Sequence, residues 1–187
     1  MDEGMVIKTA VGSRLVVVIL CIVCGLVFSP YDTSVQLSVP VECCISTERE
    51  ARLLPLLAPF QNWDSVYFLR IAKKGYEYEQ MFAFFPLLPL VIRSAGQTVE
   101  WILPSSSPCR LHVVHVLAGV LFTNTCFVAA AWTLYRLSLA VLHNRQASAV
   151  ASILFCLNPA SVFMSTVYTE SPYALFMFAG MLAAHGR

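Results

Sequence analysis

Charge is what this sequence has least of. Of its 187 residues, 12% are Asp, Glu, Lys or Arg, while 58% are hydrophobic. That is too oily for an ordinary soluble domain. The few charges nearly cancel, with 12 Lys plus Arg against 11 Asp plus Glu. Nothing in that balance points to nucleic acid, and the lack of a polybasic run excludes attachment to acidic lipid by charge alone. A glycine-rich phosphate loop, a His-Glu-x-x-His and a second Cys-x-x-Cys are all missing. Nucleotide P-loops, zincin chemistry and a structural zinc site are thereby set aside. No N-glycosylation acceptor is evident, because Asn158 is followed by Pro159. No repeat and no line of charge along an apolar run favours a transporter or channel.

Residues that look chemical often have a plainer explanation. Cys21 and Cys24 carry redox spacing but lie inside an apolar run, where they act as membrane filling. Cys43 and Cys44 could join a disulfide in an oxidising lumen, with no partner that the sequence names. His112 and His115 sit at i, i+3 at the start of an apolar helix without carboxylates nearby, which reads as packing or interfacial placement rather than a metal site.

Long apolar runs are abundant. Eight of the nine residues 15–23 are aliphatic, contributing roughly −2.5 to −5 kcal/mol to membrane insertion. A cleaved signal peptide competes with an anchor here. No small-x-small site follows, so the run is expected to remain as an anchor. Residues 111–135 and 147–163 read as further spans, and residues 173–184 begin another. Lys8 and Arg14 put the N-terminus in the cytoplasm, and Arg136 and Arg145 put residues 136–146 there. The expected map is a cytoplasmic stretch over 1–14, a first transmembrane helix over 15–30, a luminal loop over 31–110, and further transmembrane helices over 111–187. Within the loop, residues 32–52 read as polar coil and residues 53–57 as lying on the membrane surface. Residues 81–92, with Pro86 and Pro89, fall short of the roughly 20 needed to span. They suit an interfacial or re-entrant segment, although a crossing by residues 81–103 would change the parity.

One stretch of that loop gathers a carboxylate, three basic residues and several aromatics. Asp64 suits an N-cap, residues 65–74 have helical spacing, Lys73 and Lys74 occupy the cation-favouring end, and Gly75 suits the position after the helix. The map brings Asp64 to the same membrane face as residues 158–171. Glu170 lies there between apolar stretches, where an acid needs water or a partner, or else marks a helix start ahead of Pro172.

Trp63-Asp64 with Arg70, then Gly75-Tyr76, Phe82-Ala83-Phe84-Phe85-Pro86 with Pro89, Asn158-Pro159-Ala160-Ser161 and Tyr168-Thr169-Glu170 resemble, in order along the chain, the GPI mannosyltransferase 2 family, the phosphatidylinositol-glycan class V proteins. The resemblance implies an all-α polytopic membrane protein of the endoplasmic reticulum with a GT-C-type helical bundle. It also implies α-1,6 transfer of the second mannose from dolichyl-phosphate-mannose to the growing GPI anchor on the luminal side, with no other cofactor. Family members are several times longer in their membrane portion, so the chain is expected to be an incomplete bundle, an N-terminal piece of the fold.

Such a transfer needs a base for the incoming hydroxyl and cations for the departing phosphate. Inverting chemistry, which the resemblance implies, needs one carboxylate. Asp64 is the candidate base, or only a cap. Trp63 would pack on sugar or lipid, while Arg70, Lys73 and Lys74 would meet the phosphate, or the lysines are merely a solvated helix end. Tyr168 and Glu170 complete the candidate substrate contacts. Phe82, Phe84 and Phe85 read as interface packing. The alternative function is a catalytically inactive truncated membrane protein acting through a partner.

Overall fold

The computed structural model describes residues 3–28, 48–104 and 107–186, and among these residues the regular structure is all helical. Seven α-helices occur among these residues: α1 (Glu3–Val27), α2 (Glu48–Leu57), α3 (Asp64–Lys74), α4 (Leu87–Ile102), α5 (Pro108–Leu142), α6 (Arg145–Cys156) and α7 (Glu170–His185). Short 3₁₀ turns occupy Ala58–Phe60 and Glu79–Ala83. Most of the expected 32–52 coil, with Cys43 and Cys44, lies outside the described residues. Its last residues, 48–52, are helical rather than coil.

Among the described residues, only α1 and α5 are long and apolar enough to cross a bilayer. At about 1.5 Å per residue, the 25 residues of α1 reach about 37 Å, against a hydrocarbon core of about 30 Å. The helix starts at Glu3 rather than near Leu15, so Arg14 falls in mid-helix instead of flanking it. Val6, Ala10 and Arg14, four residues apart, form its one buried stripe, whereas Leu15, Val16, Ile19 and Leu20 are exposed. An apolar surface turned outward on so many sides belongs in lipid rather than water.

The chain forms two compact units. The first comprises Met1–Ile19, Thr123–Ser165 and Thr169–Arg187. Its core joins Val6 and Ala10 of α1, Phe127, Ala131 and Tyr135 of α5, and Ala149 and Cys156 of α6. Alanines at the contact let the helix backbones come close. Phe155 stacks on Phe127 at 4.9 Å and meets Phe178 of α7 edge-on at 5.6 Å. Glu3 lies 3.8 Å from Arg136, while Arg14 lies over the Phe127 ring, so α1 and α5 run antiparallel within this unit.

The expected span over 147–163 is not one helix. Asn144 caps α6 through Gln146 N and Ala147 N, but the helix stops at Cys156 after 12 residues. Pro159 cannot continue the ladder, and Asn158 Oδ1 takes the Ala160 amide into a local turn. Irregular backbone follows to residue 169. Arg14, 4% exposed, supports that break. It donates to Ser161 O at 3.0 Å, Ser161 Oγ at 2.6 Å and Ser165 Oγ at 2.9 Å, and its guanidinium stacks 3.6 Å above Phe127. Asn124 adds two bonds to Ser165, one to its carbonyl and one to its hydroxyl.

The second unit comprises Leu20–Phe122 and Thr166–Tyr168. Here α3 packs on α4; Ser65, Phe68, Leu69, Ile71 and Ala72 are the buried residues of α3, and Leu88 and Ile92 of α4 are buried in turn. A methyl on Gly119 of α5 would come within 2.9 Å of Val167 and 3.3 Å of Ile92. Only the absence of a side chain lets these three segments meet.

Arg14→Met should lower the thermal unfolding midpoint in detergent, reflecting a loss of about 2–4 kcal/mol for several charge-assisted bonds. Arg14→Lys should recover less than half, since one ammonium cannot reproduce the planar fork. Wild-type melting of Arg14→Met would show that the break at residues 158–169 stands without it.

Candidate functional site

The chain enters α3 through a turn that its sequence makes costly. Trp63 has φ 52 and ψ −121, and Ser65 N donates to Asn62 O at 3.2 Å. This is the geometry of a type II′ turn, whose first central position favours glycine. Placing a bulky residue there costs on the order of 1–3 kcal/mol and calls for surrounding structure to hold it. That support is visible. Gln61, 1% exposed, bonds back to Leu57 O at 3.2 Å. Val167 N reaches Phe60 O at 3.5 Å, and Tyr168 Oη donates to Asn62 O at 3.3 Å.

Asp64 is the first residue of α3, not its cap; Trp63 holds the cap position, and no side chain caps the helix. The Asp64 carboxylate is exposed in the first turn, where the macrodipole favours an acid. On either side of it, Asn62 Oδ1 and Ser65 Oγ are buried without a hydrogen-bond partner. Buried polar atoms are paired in the great majority of cases. Two orphans flanking an exposed carboxylate and a strained, half-exposed indole make this turn the best candidate for contact with a polar substrate.

The basic residues are placed elsewhere. At about 100° and 1.5 Å per residue, Arg70 and Lys73 lie about 9 and 13 Å further along α3 and on other faces than Asp64. Arg70 Nε donates to Glu77 Oε2 at 2.7 Å and its guanidinium sits 5.4 Å above the Tyr78 ring. The Glu77 hydrogen bond raises its pKa above the ordinary arginine value. Lys73 Nζ bonds His112 Nδ1 at 2.7 Å. Lys74 is exposed in the last turn, and Gly75, at φ 84, closes the helix through its N–H to Ile71 O. Tyr168 therefore joins the Trp63–Asp64 turn, whereas Arg70, Lys73 and Lys74 gather toward the other end of the helix. Glu170 opens α7 in the first unit as an exposed acid in its first turn.

The Phe-Phe-Pro block folds over the exit of α3. Tyr67 stacks on Phe84 at 4.7 Å, Tyr76 on Phe82 at 4.9 Å, and Tyr76 Oη donates to Phe84 O at 2.7 Å. Phe82 and Phe85 remain 72% exposed, as suits rings at a membrane interface. Sequence reasoning passed over Asn62, Ser65 and Arg93; for the first two, adjacency to Trp63–Asp64 was the available signal. Among the described residues no group of three His, Cys, Asp or Glu is arranged to hold a metal.

Comparison with known proteins gives a consistent picture. The family model described as "Mannosyltransferase (PIG-V)" matches residues 2–186. The chain is 35% identical over 163 residues to a GPI mannosyltransferase 2 of Chaetomium globosum, covering 84% of this chain and 35% of the relative. It is 32% identical over 183 residues to the GPI alpha-1,6-mannosyltransferase 2 of Rattus norvegicus, covering 96% and 36% respectively. The Homo sapiens protein of the same name is 36% identical over 126 residues, covering 67% and 25%. The chain thus spans about a third of the length of the curated relatives it matches. No solved structure matches.

The turn at Trp63 generates a comparison of two substitutions that both remove the indole. Trp63→Gly should be more stable than Trp63→Ala by about 1–2 kcal/mol in thermal or denaturant unfolding, because only glycine adopts positive φ without strain. Equal stability of the two would mean that the turn carries no such strain.

Proposed function

The chain belongs to the mannosyltransferase (PIG-V) family, and on that footing we propose that it serves α-1,6 transfer of the second mannose from dolichyl-phosphate-mannose to the GPI intermediate. Transfer takes place on the luminal face of the endoplasmic reticulum membrane. Asp64 is the base that takes the proton of the acceptor hydroxyl as that oxygen attacks the anomeric carbon and the dolichyl phosphate leaves from the opposite face. One carboxylate is enough for such an inversion.

The observation that carries this reading is the start of α3: an exposed Asp64 between the orphaned Asn62 Oδ1 and Ser65 Oγ. A sugar hydroxyl can reach the exposed carboxylate, while Asn62 Oδ1 and Ser65 Oγ lie enclosed in the turn beside it. Trp63, 56% exposed, supplies a flat apolar surface for a sugar ring or a lipid. Tyr168 holds the turn through Asn62 O. A phosphate at Arg70 would have to compete with Glu77, so Lys73 and Lys74 are the better-placed cations.

The antiparallel pairing of α1 with α5 supports the topology. Because Glu3 lies beside Arg136, the N-terminus and residues 136–146 share one side, and the positive-inside rule makes that side cytoplasmic. With Arg14 buried, the assignment rests on Lys8, Arg136 and Arg145. Both ends of the stretch between the two helices, and Asp64 within it, then fall on the luminal side.

The test is mannose transfer by membranes from cells that lack the endogenous α-1,6-mannosyltransferase and express this protein or its Asp64→Asn variant. Transfer should fall about 10²- to 10⁴-fold with Asp64→Asn, at unchanged protein level. Near-normal turnover would remove Asp64 from the base role. A wild-type chain that inserts but transfers nothing would favour the inactive, partner-binding reading instead.

A further inference from the structure

A second polar site lies in the unit that holds Asp64, walled by α3, α4 and the start of α5. Its cavity has a volume of about 290 Å³ and is lined by Lys73, Arg93, Gln97, Glu100 and His115 among others. Arg93, Gln97 and Glu100 share one face of α4, since seven residues make nearly two turns. Arg93 is exposed and makes no hydrogen bond or ion pair with any described residue. Lys73 enters from α3, fixed by its bond to His112 Nδ1 at 2.7 Å. With the ammonium donating, the proton of neutral His112 sits on Nε2, which is buried without an acceptor.

His115 supplies the decisive feature. It is 8% exposed, it lines the cavity, and its Nδ1 has no partner. Its ring lies so close to Gly96 that a methyl group there would collide with it, which fixes the ring in place. Pro108, the first residue of the 35-residue α5, also lines the space, so the positive end of that helix adds to the two cations. Against them stands one carboxylate, Glu100. Just beyond it, at the end of the same helix and its cap, Trp101, Ile102 and Leu103 are 83%, 61% and 50% exposed, an apolar fringe suited to acyl or prenyl chains.

We propose that this cavity is a phosphate-ester subsite in which Lys73 and Arg93 neutralise the anion and His115 hydrogen-bonds it. The same chemistry is offered by a lipid-borne phosphate and by a soluble one; the apolar fringe favours the lipid. The identification of that lipid as the substrate rests on the transferase reading, but the subsite itself does not. Arg93→Gln alters binding in a direct measurement that needs no turnover, so failure here is distinguishable from failure of Asp64 as base.

The experiment measures binding of polyprenyl phosphate to the purified protein in phosphatidylcholine nanodiscs, with sodium phosphate as competitor. Arg93→Gln, an exposed change with no structural bond to lose, should weaken binding about tenfold. Glu100→Gln should tighten it about two- to threefold by removing the opposing charge. Arg145→Gln, on α6 of the other unit, should leave it unchanged. Competition by sodium phosphate would support recognition of the phosphate alone, and its absence, with the Arg93 effect intact, would support a site that also needs the lipid chain. Binding that is undetectable in the wild type, indifferent to Arg93→Gln, or weakened equally by Arg145→Gln overturns the proposal.

Discussion

Backbone polar groups that leave a helix in apolar surroundings must find partners, because hydrocarbon offers none. In this protein that constraint bears on residues 158–169, where α6 has ended and α7 has not begun. Arg14 answers it in the first unit, taking Ser161 O while engaging two hydroxyls, with Asn124 closing on Ser165. A cation in mid-helix is costly in lipid, and here it is spent inside the protein against an aromatic face and three oxygens. In the second unit the same stretch continues as Val167 and Tyr168, whose amide and hydroxyl go to Phe60 O and Asn62 O. The interrupted helix thus becomes the means by which a late segment of the chain reaches the Trp63–Asp64 turn.

That turn combines three features that seldom coincide by accident: positive φ at a tryptophan, an exposed carboxylate, and two buried oxygens without donors. Any one has a structural explanation. A strained turn can be tolerated by tight packing, and an acid in a first helical turn needs no substrate to explain it. Orphaned oxygens on both sides of it are harder to dismiss, since burying a polar group unpaired costs on the order of 1–3 kcal/mol.

Much of this was legible in the sequence. The helix over residues 65–74, the closing role of Gly75, the apolar helices that contain residues 15–27 and 111–135, and the family resemblance all follow from local signals: periodicity, glycine position and motif spacing. What periodicity could not supply was tertiary override. Residues 147–163 are apolar throughout, yet Asn158-Pro159 ends the helix, and only a partner as distant in sequence as Arg14 makes that break tolerable. Arg14 itself read as a flanking charge because its neighbours Leu15 to Val23 form so strong a run; its burial depends on α5 and on residues 161–165. The candidate set around α3 was likewise too inclusive, since nearness in sequence grouped Asp64 with Arg70 and Lys73, which the helix turns to other faces. His112 and His115 read as packing, and burial bears that out in part. Their unpartnered ring nitrogens emerge only once α3 and α4 are laid against α5.

On the proposed mechanism, the separation of Asp64 from the cations has a chemical consequence. In a displacement at an anomeric carbon, base and leaving-group cations belong on opposite sides of the sugar, so a single cluster of Asp64 with Arg70, Lys73 and Lys74 would have been the wrong geometry. Asp64 at the N-terminus of α3 and Lys73 at its C-terminal end lie about 13 Å apart along the axis by helix rise and on opposite faces, so the body of the helix stands between them. The 11-residue length of α3 is then a spacing element. Its apolar stripe of Phe68, Leu69, Ile71 and Ala72 holds it against the rest of the unit so that this distance stays fixed.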